Sequence, residues 1–304
     1  MGARASACAA QTDPLMVWED YASLWQVARA TLGLMSPSRC ALQGAGHLAS
    51  ALIEGFHRAQ VEPVSIHNRA PERALALARM FPGLRVFEHE ETFDLERCPL
   101  LLVVPGPAIL QLSKHRMERL RRSGRVVVSC AGGLPLSLLE ERFPGIPWVK
   151  AIPSIAAAVG RSVTLVARGV NTEEGSFRGI QQLFGSVGSV VQLRTDEEVD
   201  RLSAITSCLP GMLAAILDEF ARAYGLNESR TRELLIDSSL GSMLVAKQKA
   251  ASLAHLVSSV SSPGGLTEVG VSIIRRDLPP LLAELRLALD DRIRKRRQRY
   301  LETE

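Results

Sequence analysis

The chain has 304 residues, 46% apolar and 22% charged, which excludes wholesale disorder, collagen and disulfide scaffolds and allows two domains. Five scattered cysteines (Cys8, Cys40, Cys98, Cys130, Cys208) without a C-x-x-C build neither a zinc cluster nor a disulfide framework and fit a reducing cytoplasm. The net charge of +4 is local: Arg292 to Arg299 carries six positive charges and reads as a solvated helix end, not a nucleic-acid surface.

Residues 1–35 read as an N-terminal extension. They lack the basic start and compact apolar core of a signal peptide, and Trp18, Tyr21 and Trp25 fit a short amphipathic helix. A short apolar strand from Cys40 then enters Gly44-Ala45-Gly46-His47-Leu48-Ala49, followed by helix-period apolar residues Leu52, Ile53 and Phe56. Gly44 permits a tight turn, and Gly46 lets backbone approach a pyrophosphate. Ala49 brings helix and strand together, and the helix N-terminus supplies free N–H donors. This strand–loop–helix makes Gly44, Ala45, Gly46, His47 and Leu48 the candidate cofactor loop, with His47 alternatively a surface first-turn residue.

The next strand, Pro63–His67, ends in Asn68-Arg69, where an NAD site usually carries an acid for the ribose 2′-hydroxyl. An Asn-Arg pair suits the 2′-phosphate of NADP instead, because guanidinium makes charge-assisted, bidentate bonds to phosphate. An ordinary solvent-facing turn arginine is the alternative. Leu100–Val104 and Arg125–Ser129 are continuous apolar runs, as strands buried on both faces require. Alternation of such strands with helices predicts a Rossmann-type, doubly wound α/β sheet over 36–167, with ligands at the strands' carboxyl ends. Those ends add Val104, Pro105, Ala131, Gly132 and Ser154 to the candidate site.

Two further strands are expected around Ser162–Ala167 and Val187–Leu193. From Asp196 onward the pattern is helical, with breaks near Pro210-Gly211, Gly225 and Pro263-Gly264-Gly265. A second, all-helical domain is therefore expected over 168–304, its boundary falling somewhere near 168–195. The longest uncharged apolar stretch, Leu202–Leu217, is 16 residues and contains Pro210, so no membrane span is expected. Asp196, Glu197, Glu198 and Asp200 read as a charge cluster favourable to a helix N-terminus. The six histidines show no metal-ligand spacing, so no metal is expected. Cys208 reads as a buried structural thiol.

Val260-Ser-Ser262-Pro263-Gly264-Gly265-Leu266-Thr267 resembles the Ser-Pro-Gly-Gly-x-Thr signature of pyrroline-5-carboxylate reductases. In the same order as in that family, Gly44–Gly55 is similar to the cofactor loop and first helix, and Val127–Gly132 to the strand ending in Ala-Gly. Ala151-Ile-Pro153-Ser154 resembles its Met-Pro-Asn, and Ala204–Met212 a degraded Ala-Leu-Ser-Gly-Ser-Gly-Pro-Ala-Tyr. The resemblance covers roughly residues 38 to 295. It departs from the family at Val104, where the family has lysine, at Ser154, and at Ser207-Cys208-Leu209 in place of Gly-Ser-Gly.

The resemblance implies an NADP-dependent oxidoreductase that transfers hydride to the C=N bond of a small cyclic imino acid, as in L-proline formation. It implies a homodimer through the helical domain, in keeping with apolar Leu213, Ile216, Leu217, Phe220, Leu234, Leu235 and Leu244, which need partners. It implies substrate binding by Ser262, Gly264, Gly265, Leu266, Thr267 and Ser154. Thr267 would be the catalytic polar group, with helix capping as the local alternative for Ser262 and Thr267. The departures leave a rival expectation: a non-catalytic or regulatory paralogue that keeps the scaffold and dinucleotide binding.

Overall fold

A computed structural model describes residues 39–61, 64–94, 97–249 and 251–302. The expected extension over 1–35, with its short helix, lies outside the described residues.

The chain alternates from its first described strand. β1 (Cys40–Gln43), α1 (His47–Arg58), β2 (Val64–His67), α2 (Pro71–Met80), β3 (Arg85–Phe87) and α3 (Glu90–Phe93) form one run. β4 (Leu100–Leu102), α4 (Gly106–Leu110), α5 (Lys114–Ser123), β5 (Val127–Ser129), α6 (Leu136–Arg142) and β6 (Trp148–Ile152) form the next. A 3-10 turn at Ile155–Val159 then leads to β7 (Ser162–Arg168), α7 (Glu174–Gly185) and β8 (Gly188–Gln192). The eight strands form one sheet in the order β3-β2-β1-β4-β5-β6-β7-β8. All neighbours are parallel except β6 and β7. The first six follow the doubly wound dinucleotide-binding order, whose direction reverses between β1 and β4.

Burial on both faces explains the apolar strands. Alternate residues of β1 point to opposite sides: Cys40 and Leu42 join a core with α1, α2 and α7, while Ala41 joins one with α5 and α6. The first core is filled by Phe56, Phe177 and Phe184, the second by Phe93, Met117, Leu139 and Trp148. The sheet runs to Gln192. α7 and β8, which a boundary at 168 leaves on the helical side, thus pack on and pair with the sheet.

Gly55 shows how closely α1 is docked. A side chain there would run into the Ala157 carbonyl and lie 2.9 Å from Val187 Cγ1. Backbone cannot give way as a side-chain tip does, so Gly55→Ala is expected to cost about 1–3 kcal/mol. The loss should be read as a lower urea midpoint at unchanged slope.

The helical part comprises α8 (Asp196–Ser203), α9 (Leu209–Ala223), α10 (Glu228–Thr231), α11 (Asp237–Gln248), α12 (Leu253–Val260) and α13 (Leu266–Leu301). Pro210-Gly211 does not break it, contrary to expectation. A π-helical turn at Ala204–Cys208, in which Leu209 N–H donates to the Ala204 carbonyl, joins α8 to α9 and seats Pro210 in the first turn of α9. The continuous helix Asp196–Ala223 has 28 residues and a most apolar window of mean hydropathy 1.4, long and apolar enough to cross a membrane by length and composition alone. The uncharged stretch Leu202–Leu217 thus lies within one helix and is not interrupted at Pro210. α13 likewise runs through Pro279 and Pro280 for 36 residues.

Candidate active site

The first four expected pieces of the cofactor site meet at the carboxyl edge of the sheet. Gly44 has φ +110°, a left-handed value that favours glycine. A side chain on it would strike the Val103 carbonyl and approach Val104 Cγ1 to 2.9 Å. Val103 N–H donates to Gln43 O (2.9 Å) and Gly44 N–H to His67 O (2.9 Å), so the loops after β1, β2 and β4 are tied together. This is the crevice where the strand order reverses.

Gly46 caps α1 without a side-chain hydrogen bond, and α1 has no acid in its first turn. Nothing lies within 4 Å of where a Gly46 side chain would stand. The N-terminal N–H groups of a twelve-residue helix therefore face open space, with Ala45, His47 and Leu48 around them. This cradle fits a dinucleotide pyrophosphate. Below the loop, buried Arg116 of α5 pairs with Asp94 (3.0 Å) and Glu90 (2.6 Å) and donates to Gln43 Oε1 (2.8 Å), bracing the residue before Gly44.

At the end of β2, Asn68 Nδ2 donates to Ala70 O (2.8 Å), which holds the turn into α2. Arg69 is exposed there, with no ion-pair partner among the described residues. Val104 and exposed Pro105 follow β4. Buried Ala131 and half-buried Gly132 follow β5, and open space lies above Gly132. Buried Ser154 follows β6, where its N–H donates to Ser162 Oγ (3.0 Å). Ser207, in the π-helical turn, donates to the Pro153 carbonyl (3.2 Å), so the Ser207-Cys208-Leu209 departure lies beside Ser154.

The Ser262–Thr267 segment lies elsewhere. Gly264 has φ +71° and Gly265 caps α13. Gly265 N–H donates to Ser262 O (2.9 Å), and Gly264 N–H to Glu268 Oε2 (2.6 Å). Glu268, without an assigned role in the sequence, thus works as a cap. Thr267 is half-buried and Leu266 is 94% exposed. Only the far end of α13 reaches the sheet. From Thr267 to Arg296 the helix runs 29 residues, roughly 44 Å at 1.5 Å per residue. Within one chain Thr267 and the cofactor edge stand apart.

That far end corrects two expectations. The basic run is not all solvated: Arg296 Cγ and Cδ lie 2.8 Å from where a side chain on Gly133 would stand. Arg297 Nη1 pairs with Asp196 (2.9 Å) and Asp200 (2.5 Å), and Tyr300 is buried with its hydroxyl against Gly106. Nor is the acidic cluster a plain helix N-terminus. Glu198 does form a capping box with Thr195, but Asp200 is 2% exposed. It accepts Gly133 N–H on Oδ1 (2.7 Å) and the ammonium of fully buried Lys150 on Oδ2 (2.7 Å). Lys150 also donates to Leu134 O (2.9 Å).

Burial pushes the Lys150 ammonium below the usual lysine range, against the pull of Asp200. Burial pushes the Asp196 carboxyl up, but the Arg297 guanidinium, the Leu136 N–H and the Lys150 charge outweigh it and hold it below the usual carboxylate range. Sequence periodicity had no access to this cluster, because its members lie on β6, α8 and α13. The one available signal was a lysine within an otherwise apolar strand.

Burial pushes the Cys130 thiol at the end of β5 up to about 12, so it is no nucleophile at neutral pH. Cys208 is exposed, contrary to expectation, because the π-helical turn lies on the uncovered helical part. No group of three metal-ligating side chains occurs among the described residues.

Sheet order and loop geometry define a doubly wound α/β protein of the dinucleotide-binding type with an appended helical region. Residues 196–295 match the family model for the pyrroline-5-carboxylate reductase dimerisation domain. A pyrroline-5-carboxylate reductase of Mycobacterium leprae is 27% identical over 271 residues, 80% of this chain and 91% of the relative. Over about four fifths of its length the chain is similar to pyrroline-5-carboxylate reductases. Its fold matches that of a pyrroline-5-carboxylate reductase from Coxiella burnetii (TM-score 0.76, 19% identity, 86% of this chain and 99% of the other). It also matches a Plasmodium falciparum pyrroline carboxylate reductase with NADP bound (TM-score 0.71, 18% identity, 86% and 98%).

Proposed function

We propose that the protein is an NADP-dependent reductase of a C=N bond in a small cyclic imino acid, working as a homodimer. The observation that carries this reading is the Gly44–Gly46 cradle, shaped by a left-handed glycine and open at the N-terminus of α1. A bound dihydronicotinamide supplies the hydride. The chain's own part is placement. Gly44, Ala45, Gly46, His47 and Leu48 hold the pyrophosphate, and Asn68 and Arg69 the 2′-phosphate. Val104, Pro105, Ala131 and Gly132 line the nicotinamide half.

Because Thr267 stands far from its own chain's cofactor edge, the substrate segment of one chain serves the edge of a second. Ser262, Gly264, Gly265 and Leu266 of the partner subunit then hold the substrate carboxylate beside Ser154, and the partner subunit's Thr267 orients the imine. A threonine hydroxyl is no free acid at neutral pH, so it relays a proton from water.

The test is NADPH oxidation by the purified protein against a panel of cyclic imino acids, with Thr267→Ala alongside. Loss of one such hydrogen-bond donor should lower kcat by about 10²-fold. Unchanged turnover removes Thr267 from the mechanism. Val104 at the family's lysine position and the bulk of Ser207-Cys208-Leu209 favour an altered substrate or the non-catalytic paralogue. NADPH binding without turnover on any imine selects the latter.

Arg69→Ala is expected to weaken NADPH more than NADH by about 1.5–3 kcal/mol, the worth of a charged hydrogen-bonding partner. That is about 10–100-fold in relative Kd. Equal losses for both nucleotides exclude Arg69 from the 2′-phosphate.

A further inference from the structure

We propose that the last two turns of α13 are a positioning element of the dinucleotide site, in which Arg297 acts through Asp200 on the Gly133 N–H while Arg296 and Tyr300 wall the turns after β5 and β4. The inference rests on the reductase reading, in which Val104, Pro105, Ala131 and Gly132 face the nicotinamide half.

The geometry is convergent. Arg296 and Tyr300 are one helical turn apart and so share a face. The stem of Arg296 covers Gly133, whose φ is +76°, and the Tyr300 hydroxyl abuts Gly106. A side chain on either glycine would force the Arg296 stem or the Tyr300 ring out of its place, so both turns leave room for these side chains of α13. Arg297, next in sequence to Arg296, reaches into the sheet edge and pairs with Asp200 and Asp196. Asp200 carries the restraint inward. Its second oxygen holds Gly133 N–H (2.7 Å), and Lys150 ties it and the Leu134 carbonyl to β6.

Two carboxylates and two cations make the cluster neutral, as burial requires. Each side of the Gly132–Gly133 turn is thereby held: Ala131 by the core, Gly133 by Asp200, and Leu134 by Lys150. Only Gly132 is left facing open space. An outer shell of this kind sets how well a site's inner groups are aimed. Arg297 and Tyr300 touch no reacting atom; they are positioning residues.

The experiment uses the full-length protein and two probes, NADPH and NADH, titrated by nicotinamide fluorescence at a temperature where melting curves show every variant folded. Arg297→Ala should raise the NADPH Kd by about tenfold and alter the emission of the bound nicotinamide, whereas Arg297→Lys should restore most of both. Arg296→Ala leaves the ion cluster intact and uncovers Gly133; it should weaken binding severalfold and keeps the test open if Arg297→Ala does not fold. Lower melting temperatures with wild-type Kd and emission in these variants would make the cluster purely structural and overturn the proposal. Wild-type protein that binds neither nucleotide overturns the reductase reading and this one together.

Discussion

Replacing Leu213 and Phe220 of α9 by glutamate should convert the proposed dimer into monomers and abolish reductase activity. In the single chain Leu213, Ile216 and Phe220 of α9 and Tyr224, which caps its C-terminus, are exposed by 46–76% at helical spacing. Leu240 and Met243 of α11 and Ile273, Ile274, Leu281 and Leu282 of α13 are also 47–58% exposed. Monomeric proteins rarely leave so much contiguous apolar surface in water. Each large side chain that a second copy covers contributes about 1.5–3 kcal/mol. A glutamate in its place adds the cost of desolvating a charge without a partner.

A loss of about 4 kcal/mol raises the dimer Kd by roughly 10³-fold. Sedimentation should find wild type above, and Leu213→Glu/Phe220→Glu at, the 33.0 kDa of one chain. Activity should vanish with the dimer, because each cofactor edge would lose the partner subunit's Thr267. A wild-type protein that stays a monomer at every concentration, yet reduces imines, overturns both the dimer and the shared site.

Asp200→Ala should be the most destabilising single change in the sheet-bearing half. It strands the ammonium of Lys150, which has no exposed surface, and removes the acceptor of Gly133 N–H. Breaking a buried ion pair on one side costs about 3–5 kcal/mol, because the remaining charge loses its compensation without regaining water. In a domain of this size that lowers Tm by roughly 6–20 °C. Lys150→Met together with Asp200→Ala should recover part of the loss, since an apolar replacement of both partners removes the stranded charge. By contrast, Glu174→Gln, at the solvent-exposed pair with Arg168, should leave Tm unchanged. If Asp200→Ala melts like wild type, the cluster does not hold the β5 turn.

Much of the cofactor half was legible in the residues. Gly44-x-Gly46-x-x-Ala49 after a short apolar strand signals a strand–turn–helix because only glycine takes φ +110° beside the Val103 carbonyl without strain. The continuous apolar runs Leu100–Leu102 and Val127–Ser129 signal parallel strands because both faces of the sheet are covered. The Ser262-Pro-Gly-Gly-x-Thr267 segment and the apolar residues of α9 pointed to the family and to a second copy.

Local signals misled where long-range packing overrides them. Pro210-Gly211 is a stop by propensity, yet the π-helical turn carries the helix past it, and Pro279-Pro280 does not end α13. The basic run from Arg292 looked solvated, since its charges cannot be buried alone. Arg297 is nonetheless drawn in by Asp196 and Asp200, which lie about a hundred residues away. Local pattern thus determined the strands, the glycine loop and the apolar helix faces, because backbone sterics and periodic burial act over a few residues. Only the tertiary structure decided that α13 closes on the turns after β4 and β5, and that Thr267 stands some 44 Å of helix from its own cofactor edge. A buried charge needs a partner from wherever in the chain the fold brings one, and a rigid helix carries its two ends to different places.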